Sequence, residues 1–314
     1  MPITLDPSAA AVIKAFREAG RPPLDTLTPA EARSASALGR PIVQPEPREM
    51  KSVEDISAPA SHGAIPLRVY KPHTLPQTGV PAGLVFYHGG GWTICDLDYY
   101  DIVCRQIADE ARMIVMSVDY RLAPENKFPA GADDAIAATK WIAANAATLG
   151  FDPAKMFIGG DSAGGNLAAV VAIHARDKNG PAIAGQVLIY PSVDARRTHA
   201  SHSDPETSVL LTHAMTKYFF GHYLNGPADV DDWRASPGRV KNLQGLPEAF
   251  VITARADPLH DEGEEFAQRL RDAGVKVTYK TYPGQFHGFM TMGRLIPEAN
   301  QLVSEIAAWL KQRG

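Results

Sequence analysis

No apolar run in this chain approaches the roughly 18 residues that would carry a helix across a bilayer. Its first stretch does not read as a signal peptide either, because Lys14, Arg17 and Glu18 interrupt any apolar core. Only two cysteines are present, Cys95 and Cys104, too few for a disulfide framework and at a spacing that matches no zinc pattern. A dominant charge is missing as well. The formal net charge of −4 gives no electrostatic reason to expect nucleic acid or an anionic membrane as partner. Neither of the phosphate-cradling patterns G-x-G-x-x-G and Gly-Lys-Ser/Thr occurs. These absences leave the expectation of a soluble, cytoplasmic protein, long enough at 314 residues for one large α/β domain with additions.

What the chain does have is concentrated in residues 159–166, which read GGDSAGGN. The apolar Met156, Phe157 and Ile158 before them predict a buried parallel strand. The alanine-rich stretch 167–176 after them predicts a helix with small residues on its packing side. A strand that turns at once into a helix holds the residue between them in a strained conformation above the sheet edge. That residue is Ser162, at the centre of Gly160-Asp161-Ser162-Ala163-Gly164, a match to the nucleophile elbow G-x-S-x-G. A Cβ at either flanking glycine would collide with the facing backbone. Ser162 also stands at a helix N-terminus, where free N–H groups and the helix dipole favour the negative charge of an oxyanion.

The rest of the chain supplies a context for this motif. Asp6 and Pro7 predict a helix start, with Ala9, Val12, Ile13 and Phe16 on one face and Gly20 at its end. Thr28 and Glu31 predict a second start through a capping box, but from there to Met50 the chain has many prolines and no strong period. Strands are predicted over 53–56 and 65–70, separated by the turn-rich ASHGA, and over 84–87. The last runs straight into His88-Gly89-Gly90-Gly91-Trp92, whose glycines expose N–H groups that a reacting atom can approach closely. Helix 99–112, strand 113–118 and helix 133–145, with Ile136, Trp141 and Ile142 inward, continue a β-α-β order. Arg121 and Glu125, around Pro124, are read as scaffold.

After a strand over 186–190 the rhythm breaks. Residues 192–237 hold four histidines and an aromatic group, and a helix over 212–224 is predicted with Met215, Phe219 and Tyr223 on its apolar face. His199-x-x-His202 has no third ligand apparent, so these histidines are read as solvated and no metal is expected. Strand 249–253, helix 262–273, strand 275–282, a loop over 283–289 and a helix over 297–313 complete the chain. The fold class is α/β, a mostly parallel sheet flanked by helices. Residues 51–191 and 238–314 are expected to form the main domain, with 192–237 inserted as a cap and 1–50 as the cap's N-terminal part.

A serine nucleophile of this kind is followed in the chain by its acid and then its histidine, each on a loop after a strand. Beyond the last strand-end acid only His260 and His287 remain. His260 lies too near Asp257 in sequence to reach a serine on another loop with that acid behind it. His287, between Gly284 and Gly288 after a predicted strand, is the expected base. Asp257 is favoured as the acid over Asp261, which with Glu264 fits an N-cap of the following helix.

Taken together, HGGGW at 88–92, YRLAPE at 120–125, GDSAGGN, Asp257-Pro258-Leu259 and Phe286-His287-Gly288-Phe289 resemble the bacterial hormone-sensitive-lipase-like esterases, family IV carboxylesterases of the GDSAGG subgroup. Order and separation agree from about residue 50 to the end. The resemblance implies an α/β-hydrolase fold of eight mostly parallel strands with a helical cap. It carries nucleophile, acid and base to Ser162, Asp257 and His287, and the oxyanion hole to the N–H groups of Gly90, Gly91 and Ala163. It implies a serine carboxylesterase with a small-molecule ester as its partner and no cofactor, and leaves a homodimer open. An amidase or lactonase on the same site is the nearest alternative. A non-catalytic binding protein on the same scaffold, like the plant hormone receptors that lack the catalytic histidine, is disfavoured by the presence of His287. The polar stretch 194–206 is read as lying over the pocket, which would make it a small, closed, short-chain acyl site.

Overall fold

The computed structural model describes residues 2–314. Helices α1 (Pro7–Glu18) and α2 (Pro29–Val43) precede the hairpin β1 (Ser52–Ala60) and β2 (Gly63–Lys71). Then follow β3 (Gly83–Tyr87), α3 (Leu97–Ala111), β4 (Ile114–Val118), α4 (Ala130–Ala144), the short α5 (Ala146–Leu149), β5 (Met156–Asp161), α6 (Ala163–Asp177) and β6 (Gly185–Ile189). The long segment after β6 carries α7 (His213–Tyr223). The chain closes with β7 (Ala249–Ala256), α8 (His260–Asp272), β8 (Val277–Phe286) and α9 (Pro297–Lys311).

One 8-stranded sheet has the order β1-β2-β4-β3-β5-β6-β7-β8. Its first two pairings, β1 with β2 and β2 with β4, are antiparallel, and the others parallel. β3, β4, β5 and β6 are buried at every position, which is why their residues are mainly apolar or small, with Asp161 and Gln186 as exceptions. On one face the core is built with Ala135 and Ile142 of α4, Leu167 and Val170 of α6, and Phe266 of α8. On the other it is built with Val12 of α1, Ile107 of α3, and Leu302 and Ile306 of α9. Helices on both faces leave the strand ends as the open edge, where a parallel α/β sheet collects its ligand-binding loops.

Several boundaries differ from expectation. The β1–β2 hairpin is tighter than ASHGA suggested, because the pairing runs to Ala60↔Gly63 and only Ser61 and His62 turn. α2 continues through Gly39 and Pro41 to Val43; the proline falls in the last turn, and the buried Val43 holds the end down. β8 includes Pro283, tolerated because β8 is an edge strand. Ile142 is buried as expected, whereas Ile136 and Trp141 are half-buried.

Candidate active site

Ser162 follows β5 and precedes α6 with φ 55° and ψ −117°, a left-handed-side backbone that a non-glycine residue occupies only when its surroundings enforce it. The enforcement comes from close packing. A Cβ on Gly164 would stand 1.9 Å from the Tyr87 carbonyl oxygen, and one on Gly160 2.4 Å from the same atom. The Ser162 N–H is tied to the Ile189 carbonyl at 2.8 Å. The side chain is thereby aimed away from the sheet, and His287 Nε2 lies 2.8 Å from its Oγ.

The other ring nitrogen, Nδ1, is 2.7 Å from Asp257 Oδ2. A proton on Nδ1 donated to that carboxylate leaves Nε2 as the acceptor for the serine hydroxyl. The fully buried Asp257 takes a second hydrogen bond on Oδ1 from the Leu259 N–H at 2.8 Å. Backbone register puts the pair opposite each other: Ala256 pairs with Phe286, so Asp257 and His287 leave adjacent strands side by side. An irregularity just before, where the register shifts between Ala254 and Ala256, absorbs the extra residues of β8. Asp261 does not cap α8, whose N-cap position is Leu259 without a side-chain cap. It accepts instead from the Ser201 N–H at 2.9 Å and contacts His260 Nδ1 at 3.0 Å.

The glycine loop after β3 faces this line. Gly90 and Gly91 have φ of +107° and +56°, and Cβ atoms there would meet the Ile94 carbonyl oxygen at 2.2 Å and the Phe219 ring at 2.3 Å. Trp92 stacks on Tyr223 of α7, with ring centroids 4.2 Å apart and planes 1° from parallel. Buried His88 contacts the Gly89 carbonyl through Nδ1 at 2.7 Å, and burial lowers its pKa to about 4. Asp161 is also buried, and that burial raises its pKa to about 6 against the hydrogen bond it receives from Tyr100 Oη at 2.8 Å. Ala163 is the first residue of α6, where a backbone N–H has no acceptor within its own helix. Sequence reasoning gave no role to Arg33 of α2. It donates to the Thr93 and Ala123 carbonyls, each at 2.8 Å, and grips Glu125 with both terminal nitrogens, tying α2 to the glycine loop.

Ser162 and His287 open onto a cavity of about 830 Å³. Its walls are mainly apolar and come from the N-terminal helices, including Phe16, Leu27 and Leu38, and from α7 through Phe219. The polar stretch 194–206 lies elsewhere, against α8: Ser201 Oγ donates to the Pro258 carbonyl at 2.7 Å, and His199 and His202 meet Glu265 and Glu262. The reading of that stretch as the pocket's roof is therefore corrected. So is the reading of its histidines as solvated, since the His202 side chain is only 7% exposed and touches the buried Glu262. A contact across 60 residues leaves no local signal in the sequence.

An alpha/beta hydrolase fold family matches residues 84–291. Carboxylesterase NlhH of Mycobacterium tuberculosis is 40% identical over 252 residues, which cover 79% of this chain and 78% of that protein. Ethyl acetate hydrolase of Pseudomonas putida is 34% identical over 318 residues, 99% of each. The solved structure of ester-hydrolase EH1AB1 from the metagenome of Lake Arreo, complexed with a derivative of bipyridine phosphonate, is similar with a TM-score of 0.93 and 39% identity. That similarity covers 98% of this chain and 99% of the other.

Proposed function

We propose, from the premise that this chain belongs to the alpha/beta hydrolase family and within it to the hormone-sensitive-lipase-like esterases, that its carboxylic ester hydrolysis runs through an acyl-enzyme on Ser162. The observation that carries the reading is the unbroken line Asp257–His287–Ser162, at 2.7 and 2.8 Å, ending at an apolar cavity beside a helix N-terminus.

A serine hydroxyl attacks an ester carbonyl only if its proton leaves as the C–O bond forms. His287 Nε2 takes that proton, and Asp257 fixes the ring's tautomer and stabilises the imidazolium. The carbonyl oxygen becomes an oxyanion held by the N–H groups of Gly90, Gly91 and Ala163; loss of one such donor raises the barrier by about 3 kcal/mol. His287 then gives its proton to the leaving alkoxide. Water, deprotonated by the same nitrogen, attacks the acyl-enzyme and releases the acid and Ser162. The chain's own groups suffice for each proton transfer.

The substrates are short-chain acyl esters. The full-length similarity to a protein called ethyl acetate hydrolase supports this, as does the aromatic part of the cavity wall formed by Trp92, Phe219 and Phe220. Each methylene adds about 0.8 kcal/mol only while it still fits. Labelling with a serine-directed phosphonate tests the acyl-enzyme: one equivalent should attach at Ser162, and Ser162→Ala should take none. Labelling elsewhere in a folded, active protein would overturn it. A p-nitrophenyl ester series tests the substrate class, with kcat/KM expected to peak at roughly two to six acyl carbons. A value still rising beyond about ten would show a long-chain site.

A further inference from the structure

Outside the serine site, three side chains able to ligate a metal come together: His199, His202 and Glu262. One donor atom from each lies within 4.8 Å of the others, close enough for a single ion to reach all three. His199 precedes and His202 ends the short 3₁₀ turn Ala200–His202, and Glu262 comes from the first turn of α8. The group is sheltered: Glu262 is 1% exposed, and the His199 and His202 side chains 16% and 7%.

Each member is already oriented as a ligand requires. Glu262 Oε1 accepts from the Val193 N–H at 2.6 Å and more weakly from the Asp194 N–H at 3.3 Å, leaving Oε2 turned to His202 Nε2 at 2.6 Å. His199 gives Nε2 to Glu265 at 3.0 Å, while its buried Nδ1 has no hydrogen-bond partner. A buried ring nitrogen without a partner is costly unless something else binds it. A carboxylate on the far nitrogen is the support that metal-bound histidines commonly have.

We propose that His199, His202 and Glu262 form a binding site for a zinc-like divalent cation that fastens the segment after β6 to the start of α8. Two imidazoles and one carboxylate suit zinc or cobalt and not the all-oxygen preference of magnesium or calcium. The ion displaces the proton between His202 and Glu262, which goes to solvent, and takes water as its fourth ligand. The site is structural, because none of its three residues lines the cavity onto which Ser162 opens, and its occupancy stabilises only the folded chain.

The test uses full-length protein without a histidine tag, stripped with a chelator and titrated with Co²⁺ alone, read by visible absorption and by melting temperature. One equivalent should bind, with the absorption of a low-symmetry four-coordinate site and a rise in melting temperature. His199→Gln, which gives up only a hydrogen bond to the exposed Glu265, should weaken binding at least tenfold, whereas His213→Gln on exposed α7 surface should not. His202→Gln should abolish the absorption. Equal Co²⁺ binding by wild type and His199→Gln, or no one-equivalent step in the wild type, would overturn the proposal and leave a plain His–Glu hydrogen bond. None of these readouts depends on ester hydrolysis.

Discussion

Two carboxylate–imidazole pairs draw their acids from the same short stretch of chain, and they stand in different settings. Asp257 holds His287 at 2.7 Å, and Glu262 holds His202 at 2.6 Å. Both acids are buried and both take a further hydrogen bond from a backbone N–H. The difference lies on the acceptor side of the pair. His287 spans the carboxylate and Ser162, with a cavity in front of it; the Glu262–His202 contact sits beside a second imidazole and lines no part of that cavity. An acid–histidine pair is therefore not a catalytic signature in itself. It acquires chemistry from what the other ring nitrogen faces and from whether substrate can reach it.

Breaking the first pair should have the largest effect. Asp257→Asn is expected to leave the fold intact and lower kcat by roughly 10⁴, because the ring loses the partner that fixes its tautomer. Steady-state kinetics alongside circular dichroism would check this, and a folded variant with near-normal turnover would exclude Asp257 as the acid. Breaking the second pair should reverse the pattern. His202→Ala leaves the buried Glu262 carboxylate without its imidazole, and should cost about 3 kcal/mol of stability while folded enzyme keeps kcat within a few-fold. Urea unfolding of the variant measures the first part and kinetics below its melting point the second.

A third buried acid sharpens the comparison through pH. The Asp161 carboxyl is raised to about 6 in the folded chain, against ~3.9 unfolded. Below pH ~4 both states are protonated and its burial is harmless; as pH rises to about 6 the unfolded chain ionises first and stability falls. Asp161→Asn escapes this. Its melting temperature relative to wild type should climb between pH ~4 and about 6 and then level, a change on the order of 3 kcal/mol. A difference that is flat with pH would mean Asp161 is not held neutral. The smallest effect is expected at Asp261, where Asn can still accept from the Ser201 N–H. Asp261→Asn should change stability by less than about 1 kcal/mol and turnover hardly at all. A loss of turnover larger than that of Asp257→Asn would exchange the roles of the two aspartates.

The sheet and the strand–serine–helix turn were legible for a shared reason: their geometry demands particular residue types. Ser162 needs Gly160 and Gly164 because the Tyr87 carbonyl leaves no room for a Cβ, and buried parallel strands need mainly apolar runs. Asp257 and His287 could be chosen because an acid and a histidine are sought in that chain order after the serine, each following a strand. What escaped depends on contacts without periodicity. The direction taken by 194–206 is decided by its pairing with α8, far along the chain, and Arg33 is one arginine on a helix surface until its carbonyl partners are known. The extent of α2 was hidden for another reason, since Gly39 and Pro41 weaken a helix whose end is held by packing.

The stacking of Trp92 on Tyr223 also bears on how such a protein can change over generations or in the laboratory. Residues 192–237 look like an exchangeable module, because both ends leave the sheet and return to it. Yet one ring from that module lies flat on Trp92 beside the glycine loop, and Phe219 fills the space above Gly91. A transplanted segment brings a new set of substrate contacts and at the same time removes the surface on which Gly90 and Gly91 rest. Chimeras that retain a planar ring at position 223 and a large apolar side chain at 219 keep that surface. Chimeras that lose these two side chains gain a pocket without the glycine loop seated behind it, so exchange at this segment is confined to the positions that leave those two anchors in place.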